Sequence, residues 1–331
     1  MGPLMLDCAS YELSAEEQEI LRHPMVGGVI LFSRNYHDKQ QLRALVEAIR
    51  NAAGRSLLIG VDHEGGRVQR FRQGFTTLPA MGQIHRISAD KAASAELAQA
   101  CGHILAYELK QMDIDLSFGP VLDLDRASAV IGDRGFSSDC ETVTLLAQSL
   151  VSAMHYQGMP ATGKHFPGHG SVEPDSHIAL PVDDRPLELI QSLDMAPFKA
   201  LLPLLDAVMP AHVIYTQADT QPAGFSSFWL QDVLRQSLAF DGVVFSDDLS
   251  MHGAAVAGNY TERAKAALAA GCDMVLACNN PLGAMHILDN LQQYTTENGR
   301  LTALHHRKPG HATHARYQQA KQILSGYADK L

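Results

Sequence analysis

Eight short apolar runs punctuate the chain, at residues 3–8, 26–32, 57–62, 114–123, 161–166, 207–215, 242–248 and 274–279. Each carries a polar residue at or next to its C-terminal end and is followed by an amphipathic stretch. The runs are nearly continuous in apolar residues and do not alternate, the pattern of strands covered on both faces of a parallel sheet. Parallel strands need crossover connections, and helical periodicity lies between the runs. Ser14 with Glu17 three positions later forms a capping box ahead of one helix. Asp38 caps another, in which Leu42, Leu45, Val46 and Ile49 share a face and Gly54 ends the element. A further helix closes at Gly158, and Thr261 is expected to cap one that closes at Gly271. No linker or low-complexity tract interrupts the series. The pattern predicts the α/β class and a single (β/α)8 TIM-type barrel over residues 1–290, with 291–331 as a short C-terminal extension packed on it. A doubly wound open sheet is the competing arrangement. It usually carries a Gly-rich turn after its first strand, and none follows the first run here.

Composition narrows the function. Of 331 residues 46% are hydrophobic, enough for a large core. The balance of 26 Lys and Arg against 36 Asp and Glu gives a net charge of −10, which argues against a protein built to grip nucleic acid. No apolar run approaches the ~18 residues of a membrane span. The N-terminal segment has no cationic stretch followed by an apolar one, so no secretory leader is expected. Five scattered cysteines, an odd number without a Cys-x-x-Cys pair, fit a reduced, cytoplasmic protein.

In a barrel the chemistry sits at the C-terminal strand ends. The ionisable and polar residues there are Asp7, Arg34, Asn35, Asp62, Asp123, His165, His212, Asp247 and Asn279. Gly158 to Lys164 resembles a phosphate loop, but His165 stands where Ser or Thr would bind Mg²⁺, and the pair enters a strand. His165 and His169 have helical metal-ligand spacing, yet Pro167, Gly168 and Gly170 forbid a helix. Asp175 two residues before His177 is suited to orienting an imidazole for proton transfer, or is a solvated loop pair. Of Asp247 and Asp248, strand alternation lets only one face the barrel axis, as nucleophile, base or ligand. Asp62, Arg67 and Arg70 surround a two-glycine turn, fit either for sugar hydroxyls or for a structural ion pair.

Taken in order, VDHEGGRVQRF, SFGPVLDLD, IGDRGF, KHFPGHG, DSH, MPAH and FSDDLSM resemble glycoside hydrolase family 3, in its cytoplasmic β-N-acetylglucosaminidase branch. The similarity runs from Gly2 to about Asn279. It implies a (β/α)8 barrel and a retaining glycosidase. Asp247 matches the catalytic nucleophile, His177 the general acid/base and Asp175 its partner. Asp62, Arg70, Arg134, Lys164 and His165 match the residues that bind the terminal N-acetylglucosamine. The implied substrate is N-acetylglucosamine β-1,4-linked to 1,6-anhydro-N-acetylmuramic acid, with or without peptide, from peptidoglycan turnover. No cofactor and no metal are implied. The expected partner is a small carbohydrate or muropeptide, with no nucleic acid, no membrane and a monomeric chain. His63 and Gly119 depart from the residues common in relatives, without replacing any matched position. A glycoside phosphorylase, which a histidine acid/base permits, a metal-dependent amidohydrolase and a non-catalytic sugar sensor are the competing functions.

Overall fold

The computed structural model describes residues 1–173, 180–291, 298–305 and 307–330. Its centre is an eight-stranded sheet. The strands are β1 (Leu4–Asp7), β2 (Val26–Leu31), β3 (Leu58–Val61), β4 (Leu116–Ser117), β5 (Thr162–Phe166), β6 (Ala207–Pro210), β7 (Val243–Asp248) and β8 (Met274–Ala277). Their order is β4-β3-β2-β1-β8-β7-β6-β5, and every pairing is parallel. Bridges Ser117–Ala161 and Val121–Lys164 join β4 to β5 and close the ring. The expected barrel is thus the observed one.

Side-chain alternation divides the core in two. Met5, Ile30, Leu58, Phe118, Phe245, Met274 and Leu276 fill the barrel interior. Their neighbours Leu4, Leu6, Val29, Leu31, Ile59, Val61, Val244 and Val275 face outward to the helices. This is why the strands read as unbroken apolar runs. Among the helices, α1 (Ala15–Arg22) begins with the Ser14–Glu17 capping box. Helix α2 (Lys39–Ala53) is capped by Asp38 and ends at Gly54 in the left-handed conformation, φ 62°. Helices α3 (Lys91–Lys110) and α4 (Cys140–Tyr156) pack together on the outside.

Three local expectations change. The run at 114–123 forms only a two-residue strand before Gly119 and Pro120 interrupt the ladder, since proline has no N–H to donate. The run at 207–215 splits: β6 stops at Pro210, and Ile214–Tyr215 pairs with Val182–Asp183 in a separate ribbon. Helix α5 (Tyr260–Ala270) is capped by Asn259 in a capping box with Glu262, and not by Thr261, whose hydroxyl bonds the His286 carbonyl. Asn and Thr are both capping residues, and the Glu three positions on selects Asn259.

Beyond residue 290 the chain returns to the barrel. Helix α6 (Gly299–His305) inserts Leu301 and Leu304 into the interior cluster at the N-terminal ends of the strands. Asn298 and Arg300 anchor it to Asp273 ahead of β8. Helix α7 (Thr313–Ser325) lies against α3, where Tyr317 stacks on Tyr107 at 4.4 Å and its hydroxyl donates to Glu108 at 2.9 Å. No helix among the described residues is long and apolar enough to cross a membrane. Leu301 is fully buried. Leu301→Ala should therefore cost about 2–5 kcal/mol in urea unfolding. A loss under about 1 kcal/mol contradicts the plug.

Candidate active site

The opposite end of the barrel opens into a cavity of about 860 Å³. Asp62, Arg70, Arg134, Lys164, His165 and Asp247 all line it, although they come from four separate stretches of chain. The remaining two candidates, Asp175 and His177, lie outside the described residues.

Asp62 follows the last residue of β3. The chain then turns back as a two-strand ribbon, His63–Gly65 against Val68–Gln69. Gly66 makes the turn at φ 55°, where a Cβ would meet Ala80 at 2.7 Å, so a larger residue is excluded twice over. The ribbon returns Arg70 over Asp62, at 3.4 Å. Lys164 on β5 reaches between Asp62 and Glu64, at 2.8 Å from each. Arg134, on a tight turn at Gly132–Arg134, grips the same Glu64 with two parallel bonds, Nε and Nη2 donating at 2.9 Å each. Arg70 and Asp62 are therefore joined, and the ion-pair and sugar-binding readings are not exclusive: the paired groups face the cavity.

Charge decides ionisation here. Burial alone would raise the Asp62 carboxyl, but Lys164 and Arg70 overcome it and hold it below the usual range. Burial opposes ionisation of Glu64 likewise, and Arg134 and Lys164 drive it well below the usual range. Burial would lower the Lys164 ammonium, yet Asp62 and Glu64 raise it. Two anions and three cations are thus joined in one network on this side of the cavity.

A second carboxylate organises β5. Asp123 is fully buried and accepts from the His165 ring Nδ1 at 2.7 Å, from the His165 N–H at 3.1 Å and from the His169 N–H at 2.7 Å. A carboxylate partner places the His165 proton on Nδ1 and leaves Nε2 for the cavity. Burial pushes the Asp123 carboxyl up, and the His165 ring and its hydrogen bonds outweigh that to bring it below its ordinary value.

Asp247 and Asp248 both line the cavity, where strict alternation expects one. The β7–β8 register slips between Phe245 and Asp248, three residues facing two, and this bulge defeats the parity argument. The two carboxylates still differ. Asp248 is tied down by the Ser250 hydroxyl at 2.6 Å and the N–H groups of Ser250 and Cys278 at 2.9 and 3.1 Å. Burial pushes its carboxyl up to about 6, against those hydrogen bonds. Asp247 accepts the Asp248 N–H at 2.8 Å through Oδ1. His212 lies beneath, its Nε2 on the Asp248 carbonyl at 3.1 Å. The other strand-end residues form a rim: Arg34 pairs with Asp7 and donates to Asn279 at 2.8 Å, and Asn35 holds the Cys8 carbonyl at 2.9 Å.

The model of the glycosyl hydrolase family 3 N-terminal domain matches residues 4–307. The chain belongs to glycosyl hydrolase family 3. It is 63% identical over 294 residues to a β-hexosaminidase of Tolumonas auensis, covering 88% of this chain and 87% of that one. A β-hexosaminidase of Glaesserella parasuis is 50% identical over 335 residues, 99% of this chain and 97% of that one. NagZ from Neisseria gonorrhoeae, solved in complex with N-trifluoroacetyl-D-glucosamine, superposes with a TM-score of 0.90 at 44% identity, over 99% and 98% of the two chains. As a family 3 member the chain is a glycoside hydrolase, and its relatives over nearly the whole length are β-hexosaminidases.

Within this family 3 site, Glu64 and Asp123 are the residues that sequence reasoning left without a role. Glu64 stands two positions from Asp62, the strand spacing that puts two side chains on one face, and this was the available signal. Asp123 closes an apolar run as Asp62 does, but nothing in the sequence couples it to His165, 42 residues on.

The lowered Asp62 and Asp123 carboxyls make a pH prediction. Their contribution to stability is complete above the unfolded value of 3.8 and is lost as pH falls through their folded values. Urea unfolding should therefore show stability dropping below about pH 4. Asp123→Asn should make that drop shallower. A wild-type stability that stays level from pH 5 to pH 3 contradicts the charge assignment.

Proposed function

We propose that this family 3 chain is a retaining exo-β-N-acetylglucosaminidase. It removes N-acetylglucosamine from β-1,4-linked 1,6-anhydro-N-acetylmuramic acid muropeptides, with or without peptide, during cytoplasmic peptidoglycan recycling. The chain acts as a monomer. The observation that carries the reading is one cavity in which the strand-end carboxylate Asp247 shares walls with Asp62, Arg70, Arg134, Lys164 and His165. A neutral sugar offers hydroxyls that both donate and accept, and this set supplies both complements. The NagZ structure holding a glucosamine derivative supports the choice of sugar.

The mechanism follows from these roles. Cationic donors and Asp62 grip the terminal sugar and fix its orientation. An Asp247 oxygen attacks the anomeric carbon as the bond from that carbon to the leaving oxygen breaks. His177, oriented by Asp175, gives its proton to the leaving oxygen. Water then attacks the anomeric carbon of the glycosyl-Asp247 ester, passes a proton back to His177 and frees the carboxylate. A histidine in this role returns neutral, so the second step also admits phosphate as the acceptor. Sugar 1-phosphate formed in phosphate buffer would replace hydrolase with phosphorylase.

Two measurements test the reading. Asp247→Asn should lower turnover of 4-nitrophenyl N-acetyl-β-D-glucosaminide by at least ~10³-fold, and Asp248→Asn by much less, because Asp248 spends its oxygens on Ser250 and Cys278. The reverse ranking would falsify the assignment of the nucleophile. Proton NMR of the product as it first forms should show the β-anomer of N-acetylglucosamine. A first-formed α-anomer rules out the double displacement.

A further inference from the structure

Glu64 sits one layer behind the wall that Arg134 and Lys164 present to the cavity, with its side chain only 4% exposed. Both of its oxygens are engaged: Oε2 accepts Arg134 Nε at 2.9 Å, and Oε1 accepts Arg134 Nη2 at 2.9 Å and Lys164 Nζ at 2.8 Å. A forked pair of bonds fixes the plane of a guanidinium as well as its distance. The donor count is then restrictive. The Lys164 ammonium has three N–H groups; Asp62 and Glu64 take two. Arg134 has five; Glu64 takes two and the Val130 carbonyl, at 3.2 Å, one. What remains on each cation is what the cavity can receive.

We propose that Glu64 is a positioning residue for the hydrolysis. By holding Arg134 in a fork and Lys164 by one further bond, it aims the remaining donors of both cations at the hydroxyls of the terminal sugar. This rests on the reading that Arg134 and Lys164 touch that sugar. A purely structural ion pair is the competing account, and energetics disfavours it. Taking a carboxylate, an ammonium and a guanidinium out of water roughly cancels their attraction, so a buried triad is a poor source of stability. Glu64 also sets the charge balance. Without its charge, Arg70, Arg134 and Lys164 would face Asp62 alone, and Arg134 and Lys164, which repel one another, would lose their shared counter-ion. Arg134 would then keep only the Val130 carbonyl among these bonds and leave its orientation.

The test is a double-mutant cycle on 4-nitrophenyl N-acetyl-β-D-glucosaminide, with the wild type, Glu64→Gln, Arg134→Met and the double variant. Free N-acetylglucosamine serves as a competitive inhibitor, and circular dichroism checks the fold. Glu64→Gln should stay folded, lose roughly 10–100-fold in kcat/KM and weaken inhibition by N-acetylglucosamine by a similar factor. In the double variant Glu64→Gln should cost clearly less on top of Arg134→Met than it costs in the wild type, because the part of its effect that runs through Arg134 is already lost and only the part through Lys164 remains. Glu64→Asp keeps the charge but is one methylene too short to span both cations, so it should recover only part of the loss; where Glu64→Gln does not fold, it replaces Glu64→Gln in the cycle. Wild-type kcat/KM in the Glu64 variants, or losses that multiply in the double variant, overturns the proposal. If Arg134→Met hydrolyses the substrate as well as the wild type, the sugar contact itself is wrong, and both readings fall together.

Discussion

One buried ammonium holds the mouth of this barrel together. Lys164 projects from the fifth strand and meets Asp62 and Glu64, both beyond the third, at 2.8 Å each. These strands are not neighbours, for β4 lies between them. The bond set therefore spans the opening and fixes how far apart two walls of the cavity stand. Arg134 joins through Glu64 and Arg70 through Asp62, so every charged group on that side is indexed to the lysine. Such a network is costly to desolvate and returns little net stability. Its yield is geometric: three cations held at fixed bearings in a place that water would otherwise screen.

The rest of the site repeats this arrangement with other groups. Asp123 uses a fully buried carboxylate to set the His165 ring and the backbone at His169. Ser250 and Cys278 immobilise Asp248 and so brace the strand end that presents Asp247. Below these polar layers Phe118 and Phe245 meet edge to face at 5.3 Å and form an apolar floor. At the far end Leu301 and Leu304 complete the interior. Polar precision at one end thus stands on ordinary hydrophobic packing at the other.

The barrel was legible because burial on both strand faces writes itself as continuous apolar runs, and all eight became strands. Caps at Ser14, Asp38 and Gly54 were legible because they are local. Three kinds of feature were hidden. The ribbon at His63–Gln69 is short, polar and turned by two glycines, with no apolar period to betray it. The bulge at Asp247–Asp248 depends on the register of the neighbouring strand, which no single-strand pattern contains. Glu64 was hidden most thoroughly: its partners lie 70 and 100 residues away, and a carboxylate in a Gly-rich turn looks solvated until the fold encloses it. The family resemblance selected these cavity-lining residues one by one, but not the anion that couples them.

The central claim is that these charges converge on a single sugar with its anomeric carbon turned to Asp247. A crystal structure of the chain bound to N-acetylglucosamine tests it most directly. The account predicts hydroxyls within hydrogen-bond distance of Asp62, Arg70, Arg134, Lys164 and His165, with the anomeric carbon about 3–3.5 Å from an Asp247 oxygen. A sugar seated with its anomeric carbon away from Asp247, or bound without contact to Arg134 and Lys164, would contradict it.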